Sequence, residues 1–409
     1  MRICLLYLFC CFFTIEVIYA RQQSFMVIVE NHSNMDKKCY PVVLSVNDLK
    51  VLFDFKSVIV KEGETIIPSQ VDDLNSDLQK DEIVFIMDIS ANQQKKFHVV
   101  LSDSLLQNEY PFQVAAQLLF RTSNENNYVF GTSIEAPGCS STYDVLYHHG
   151  VAIESKLVAY RIYFDERQTI DVYGKSKKQL ELANTNFYPT EEQMRNGYGN
   201  DILKVGNTCG VGTLKGWDGH ACTHLVPVGS RGQRIITSGP IRTIVESYVK
   251  DWLYQGRHLN MTNRYTLYAG HRDLRIDTYF HKPLADEVFS TGVLNIGSTA
   301  ESYSDHEGLI ACWGCNYPEN DTIKFKLESL GVATYIPKQY VLEEKIDSEN
   351  FLYTLQAKGE STFYYYTTFC SQKEQNRKWD KFSWFGEVQR WKRSLDTPCS
   401  LQIIPLGID

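Results

Sequence analysis

The segment from Tyr147 to Lys175, YHHGVAIESKLVAYRIYFDERQTIDVYGK, constrains the fold of this chain more than any other. From Leu157 onward it alternates. Val158, Tyr160, Ile162 and Phe164 fall on one face; Ala159, Arg161, Tyr163 and Asp165 fall on the other. Successive side chains of a strand point to opposite faces, so a period of two marks a half-buried strand. The even positions read as core. The odd positions set a cation, a phenol and a carboxylate side by side. Such a row is ordinarily a solvated face. Here the adjacent pair His148 and His149 precedes it, and basic and aromatic residues recur downstream, which points to a site.

The rest of the chain repeats the strand signal. Residues 23–30, 41–46, 57–60, 83–89 and 97–102 read as strands separated by breaks rich in Asn, Asp, Lys and Pro. They predict a small β-sandwich region over 21–110. Residues 168–173, 234–238, 241–249, 264–269, 274–280, 309–313, 322–326, 362–369 and 401–404 predict further strands. Thr190-Glu-Glu-Gln193 is a capping box that predicts a short helix ending at Asn196-Gly197. Phe382 to Lys392, with Trp384, Phe385, Val388 and Trp391 at helical spacing, predicts one amphipathic helix whose stripe reads as core. Many strands with few helices imply an all-β architecture of stacked antiparallel sheets, with a large β-sandwich over 111–409.

Length and composition allow this. The chain has 409 residues, enough for one large or two ordinary domains, and 43% of them are hydrophobic, enough for a sizeable core. A net charge of −8 argues against a nucleic-acid binder, which would show a basic face. A local Arg/Lys/His cluster can still hold an anionic small substrate within an acidic protein. Residues 1–20 read as a secretion signal: Arg2, then the apolar run Ile3 to Phe13, then Ala20 before the cut. Cys10 and Cys11 raise lipid anchoring, but Leu8 and Phe9 lack the small side chains of a lipoprotein signal. The expectation is a soluble periplasmic or secreted protein. No later stretch is long and apolar enough to span a bilayer.

Beyond the signal lie Cys39, Cys139, Cys209, Cys222, Cys312, Cys315, Cys370 and Cys399, too sparse for a disulfide scaffold. Cys312-Trp-Gly-Cys315 has redox spacing without a thioredoxin-like βαβ pattern around it, and no second pair completes a zinc site. Asp73, Asn75, Asp77 and Asp81 have the spacing of calcium ligands. Leu78 stands where the sharp turn needs Gly and no Glu closes the loop, so an Asx-rich turn is the alternative reading. Gly206, Gly210 and Gly212 lack the Gly-Lys-Ser/Thr of a phosphate loop and read as bends or places of close backbone approach. No motif implies a resident metal or a cofactor.

No serine-hydrolase elbow and no His-Glu-x-x-His motif is present. The available groups are His148, His149, His220, His224, His271, Arg161, Arg242, Arg272, Lys204, Trp217 and several tyrosines, Tyr163 among them. Trp217 offers a flat apolar face, and His271 and Arg272 sit on a tight connection between two strands, where functional residues gather. Together these groups suit the binding of a carboxylate or sulfate and the movement of protons.

Several stretches carry a family resemblance: Tyr147 to Ser155, Ala159 to Asp165, Gln168 to Lys175, Asp201 to Val205, Ser238 to Thr243, Ile67-Pro-Ser-Gln70 with the Asp-rich loop, and Tyr268 to Arg272. The chain resembles the domain-of-unknown-function family numbered 4861, found in polysaccharide-utilisation loci of glycan-degrading bacteria. The resemblance implies a β-sandwich like those of galactose mutarotases and many polysaccharide lyases. It also implies an oligosaccharide dehydratase, which removes water from the non-reducing-end uronic acid of an ulvan oligosaccharide and leaves a 4,5-unsaturated sugar. The chain differs from common family forms at Ile153, where an aromatic is expected, and at Tyr188-Pro-Thr190, where some members carry a His-containing segment.

The residues fit such an elimination on chemical grounds. A base must take the proton beside the carboxylate, donors must stabilise the enolate-like charge, and an acid must protonate the departing hydroxide. The expected roles are His149 or His148 as base and Tyr163 as acid. Arg161, with Arg242, Lys204 or Arg272, would hold the carboxylate. A polysaccharide lyase, a mutarotase-like sugar enzyme and a non-catalytic glycan-binding protein remain alternatives from the same residues.

Overall fold

The computed structural model describes residues 20–105, 109–122, 127–297, 300–319, 322 and 326–408. The signal expected at 1–20 lies outside these residues apart from Ala20.

The alternation noted in the sequence becomes packing. Val151, Ile153, Tyr160, Ile162, Ile170 and Val172 from one five-stranded sheet meet Val245, Tyr265, Leu267, Ile276 and Tyr365 from a nine-stranded sheet. Burying a large apolar side chain stabilises by about 1.5–3 kcal/mol, so this shared interior dominates the fold. The nine-stranded sheet runs in the order Ser133–Pro137, Ser230–Gly239, Arg242–Tyr254, Arg257–Tyr268, Leu274–Phe280, Thr362–Ser371, Glu328–Tyr335, Leu309–Asn316, Glu301–Ser304. Its inner face is covered by two five-stranded sheets. One runs Asn200–Asp201, Ile170–Gly174, Ala159–Tyr163, Gly150–Ser155, Val114–Gln117. The other runs Cys222–Thr223, Lys215–Trp217, Phe289–Leu294, Asn350–Leu355, Val341–Ile346. The sheets are antiparallel, and the whole is a large β-sandwich with few helices, as the sequence predicted.

The helix Lys381–Asp396 packs on the outer face of the nine-stranded sheet, where Trp384 and Val388 join Leu309, Ala311, Ala333 and Tyr335. Its predicted stripe is core. Asp380 accepts from Ser383 N at 2.8 Å and starts it. The short helix Glu191–Arg195 begins at the Thr190 capping box.

Two smaller sheets enclose a second core of Phe25, Val27, Leu44, Phe85, Phe97 and Val99. One sheet runs Ser57–Glu62 beside Gln94–Ser102, then Gln22–Glu30, and ends on the C-terminal strand Ser400–Ile408. The last strand therefore belongs to the N-terminal sandwich, pairing Val27 with Ile403. Sequence order alone gives no hint of this return.

Some sequence expectations resolve differently. The strands Phe289–Leu294, Glu328–Tyr335 and Asn350–Leu355 were not anticipated, and most of the strand expected at 322–326 lies outside the described residues. Cys312 and Cys315 share the strand Leu309–Asn316 at odd spacing, so they alternate to opposite faces. The Asp73 carboxylate accepts from the backbone N–H groups of Asn75, Ser76 and Leu78, and Asp81 from that of Leu74, which is the Asx-turn reading. Gly212 has φ +79°, and a Cβ there would stand 2.6 Å from Thr367 Cβ, so this glycine lets a loop press against the sheet. Among the described residues no helix is long and apolar enough to cross a membrane.

Candidate active site

Strand register builds the site. Ala159–Tyr163 pairs on one side with Gly150–Ser155 and on the other with Ile170–Gly174. Arg161 is directly opposite Asp171, and Tyr163 is directly opposite Gly150. Residues opposite each other in an antiparallel pair have Cβ atoms about 5 Å apart on one face. Gly150 cannot be larger: a Cβ there would lie 1.8 Å from the Ile162 carbonyl oxygen. His149, just before it, has φ +68°, a left-handed backbone that is rare outside glycine and gathers at functional sites.

The polar face of this sheet is not solvated. The segment after Lys175 folds over it, and Leu182 and Phe187 pack on Ala152, Ala159 and Tyr173. A buried ion pair anchors that cover. Lys175 Nζ bonds the Glu154 carboxylate, which also accepts from the N–H groups of Glu181 and Leu182 at 2.8 and 2.9 Å.

Beneath the cover sits Arg161, almost without exposure. Nη1 donates to the Tyr188 hydroxyl at 2.7 Å. Nη2 donates to the Tyr163 hydroxyl at 2.9 Å, to Asp201 at 3.1 Å and to Asp171. The Tyr163 hydroxyl donates to Asp171 at 3.0 Å. The guanidinium lies 4.2 Å from the Phe187 ring centroid and 4.9 Å from that of Tyr163. Arg167 flanks the same Tyr163 ring at 4.9 Å.

Two carboxylates share one buried cation. Burial, then the Asp171 charge, pushes Asp201 well above the carboxylate range. Burial resists the Arg161 charge, but Tyr163, Asp171 and Asp201 outweigh it and hold the guanidinium charged. Burial and Asp171 raise Tyr163 well above its ordinary value, so the phenol keeps its proton.

His149 stacks on Tyr143 with centroids 4.4 Å apart, and its ring centroid is 6.2 Å from that of Tyr163. Its Nδ1 is buried without a hydrogen-bond partner. Burial, then the charges of Arg161 and Arg121, lower its pKa to about 4, so the ring is neutral at neutral pH. His148 sits deeper. Its ring is fully buried, Nε2 bonds the Gln117 carboxamide oxygen at 3.1 Å, and burial lowers its pKa to about 3. The expected pair is therefore split: His149 borders the site and His148 is packed behind it.

The other expected residues lie elsewhere. Arg242 is buried at the junction with the N-terminal sandwich, where it bonds Asp72 at 2.7 Å and Glu82 at 2.6 Å. Its role as a carboxylate clamp is corrected on this ground: its donors are spent on protein carboxylates. Arg272 bonds Glu374 through its two terminal guanidinium nitrogens, at 2.7 and 2.5 Å. His271 bonds the Cys39 carbonyl at 2.7 Å and Asp273 at 3.0 Å, and that carboxylate outweighs burial to raise its pKa. Both line a cavity of about 650 Å³ between the N-terminal sandwich, the nine-stranded sheet and the long helix. This volume is larger than any other described here, yet the charged groups at its His271–Arg272 corner are already paired within the protein. It therefore ranks behind the Arg161 face, where a histidine ring with an unpartnered nitrogen borders the tyrosine cluster. Trp217 is on the second five-stranded sheet, its backbone N–H bonded to the Tyr254 hydroxyl at 2.7 Å, apart from the Arg161 face. Lys204 is exposed, three residues after Asp201.

Sequence reasoning missed Asp171, Asp201, Tyr188, Arg167 and Tyr143 as site members. For Asp171 a signal existed. It alternates with Ile170 and Val172, so the neighbouring strand offered a polar face to meet that of Arg161. Asp201, Tyr188 and Tyr143 arrive from loops and short pairings that carry no periodicity.

Stacked antiparallel sheets with a buried Arg–Asp–Tyr cluster on one polar face define an all-β protein of the large β-sandwich class. Within that class, the chain belongs to the family described as "Domain of unknown function (DUF4861)", whose profile matches residues 29–401. It is 22% identical over 396 residues to "Uncharacterized protein P7" of Formosa agariphila, covering 92% of this chain and 93% of that protein. Two solved structures from Enterococcus faecalis show a partial similarity. One, a protein in the glycosyl hydrolase family 38, has a TM-score of 0.48 and 9% identity; the other, an alpha-mannosidase, has 0.47 and 11%. The matches cover 93% of this chain but 47% and 46% of those chains, so this chain spans about half their length.

Proposed function

We propose that this protein is an exported carbohydrate-active enzyme that eliminates water from the non-reducing-end uronic acid of an anionic oligosaccharide. The observation that carries the reading is the meeting of two proton-transfer groups of opposite state on one face. His149 is neutral with an unpartnered Nδ1, and Tyr163 holds its proton against Asp171 and Arg161. His149 takes the proton beside the carboxylate. Tyr163 gives its proton to the departing hydroxide and is restored through Asp171. A placed acid or base contributes roughly 10²–10⁴-fold.

Arg161 acts differently from its sequence-based role. Its two terminal nitrogens are occupied by Asp171, Asp201, Tyr163 and Tyr188, so it fixes the two phenols rather than gripping substrate alone. Arg121, which donates to the carbonyls of Leu146 and Tyr147, is better placed to meet an incoming carboxylate, whereas Arg167 at the rim is already paired with Asp165.

The test is ultraviolet absorbance of the conjugated unsaturated uronate. Uronic-acid-ended oligosaccharides and intact polymer are incubated with the protein, and chain length is followed in parallel. A rise in absorbance with oligosaccharide length unchanged supports the dehydratase. A rise with falling polymer length makes the protein a lyase. No rise across a broad uronate panel removes both and leaves a mutarotase-like or purely binding protein.

A further inference from the structure

Cys209 and Cys222 are thirteen positions apart in sequence, and the fold brings them to one residue. Asn350 accepts from Cys209 N–H through Oδ1 at 2.7 Å and donates from Nδ2 to Cys222 Sγ at 3.5 Å. The carboxamide is itself fixed, because Nδ2 also donates to both Asp347 carboxylate oxygens, at 3.0 and 3.1 Å. Cys209 is completely buried. Cys222 is partly exposed and lines an open cavity of about 390 Å³ with His224, Asp347 and Glu349.

We propose that Cys209 and Cys222 form a disulfide that staples the hairpin of Lys215–Trp217 and Cys222–Thr223 to the loop at Cys209. The interaction between the two thiols lowers the pKa of Cys222 and, with burial, raises that of Cys209. The accessible cysteine is thus the one that ionises first, and thiolate is the reactive form. With a small-molecule disulfide as oxidant, Cys222 thiolate attacks one sulfur and expels a thiolate. Cys209 then gives up its proton and attacks Cys222 sulfur, expelling the second thiolate. Two protein thiols become one disulfide, and one oxidant disulfide becomes two thiols.

The cross-link matters to the candidate site through Lys215. This residue lies between the two cysteines, and its buried Nζ donates to Thr169 Oγ1 at 3.1 Å and to the Arg167 carbonyl at 2.5 Å. Closing the loop restricts the unfolded chain and so stabilises the folded one. It also holds in place the turn that carries Arg167 over Tyr163.

The experiment treats the fully reduced whole protein with oxidised glutathione, then alkylates it under denaturing conditions and maps its peptides. The expected result is a linked pair of peptides containing Cys209 and Cys222, loss of two alkylatable thiols, and a melting temperature higher by a few degrees. Cys222→Ser, at a partly exposed position, should show none of these. The proposal is overturned if both thiols remain alkylatable, if Cys222 accumulates as a stable glutathione adduct, if the link joins other cysteines, or if linkage leaves the melting temperature unchanged.

Discussion

Arg161 and Asp171 stand directly opposite each other on neighbouring strands and form an ion pair whose side chains are 3% and 0% exposed. Removing one partner of a buried pair leaves an uncompensated charge and costs about 3–5 kcal/mol. Arg161→Ala leaves Asp171 buried without its cation and removes a donor to Asp201, so it should fall within that range in urea denaturation. Asp201→Asn, which removes a carboxylate already pushed towards its neutral form, should cost far less. Equal losses from the two variants would contradict the shared-cation picture.

Tyr163→Phe removes one hydroxyl and leaves the ring between Arg161 and Arg167. Turnover should fall roughly 10²–10⁴-fold while substrate affinity and the circular dichroism spectrum stay near wild type. His149→Ala should do the same. Wild-type rates from both would end the acid–base assignment.

His149 also sets a pH limit. Its pKa of about 4 lies below the ordinary 6.5, so the base stays unprotonated well into mild acid. The acid limb of kcat/KM should therefore fall near pH 4 and not near 6.5, since kcat/KM reports the free enzyme. A limb at the ordinary histidine value would remove His149 from the role.

His148 makes the fold itself acid-sensitive. Its pKa is about 3 when folded and 6.5 in an unperturbed chain, so between those values the unfolded state binds the extra proton. That contribution to stability is complete above pH 6.5 and is lost as pH falls towards 3. At about 1.4 kcal/mol per pH unit the loss amounts to several kcal/mol. Denaturation at a series of pH values should show a shallower slope over this window in His148→Gln than in wild type.

Arg242→Ala should act at the domain junction. It removes the bonds to Asp72 and Glu82 and leaves Asp72 buried without its cation. Faster amide exchange in Ser69–Asp72 and Glu82–Ile89, with activity retained per folded molecule, is the expected outcome. Loss of turnover in folded protein would return Arg242 to the substrate site.

The sequence by itself determined the strands and their inward faces. Val158, Tyr160, Ile162 and Phe164 are core because apolar residues at a period of two leave a strand only one face to bury. Local chemistry likewise determined the Thr190 capping box and the Trp384–Val388 stripe, since a cap or a helix face is written within a few residues. The family resemblance was carried by contiguous stretches of the same kind. Only the tertiary structure decided what the polar faces meet. Arg161 and Arg242 look alike on their strands, yet one is held among tyrosines and the other is spent on Asp72 and Glu82, 170 and 160 positions away. Adjacent His148 and His149 differ because the left-handed backbone at His149 sets one ring against Tyr143 while the other stays buried beside Gln117. Strand periodicity is a local property of the chain. The partner of a buried charge is set by sheet register and by the loops that close over it, and those join residues that sequence order keeps apart.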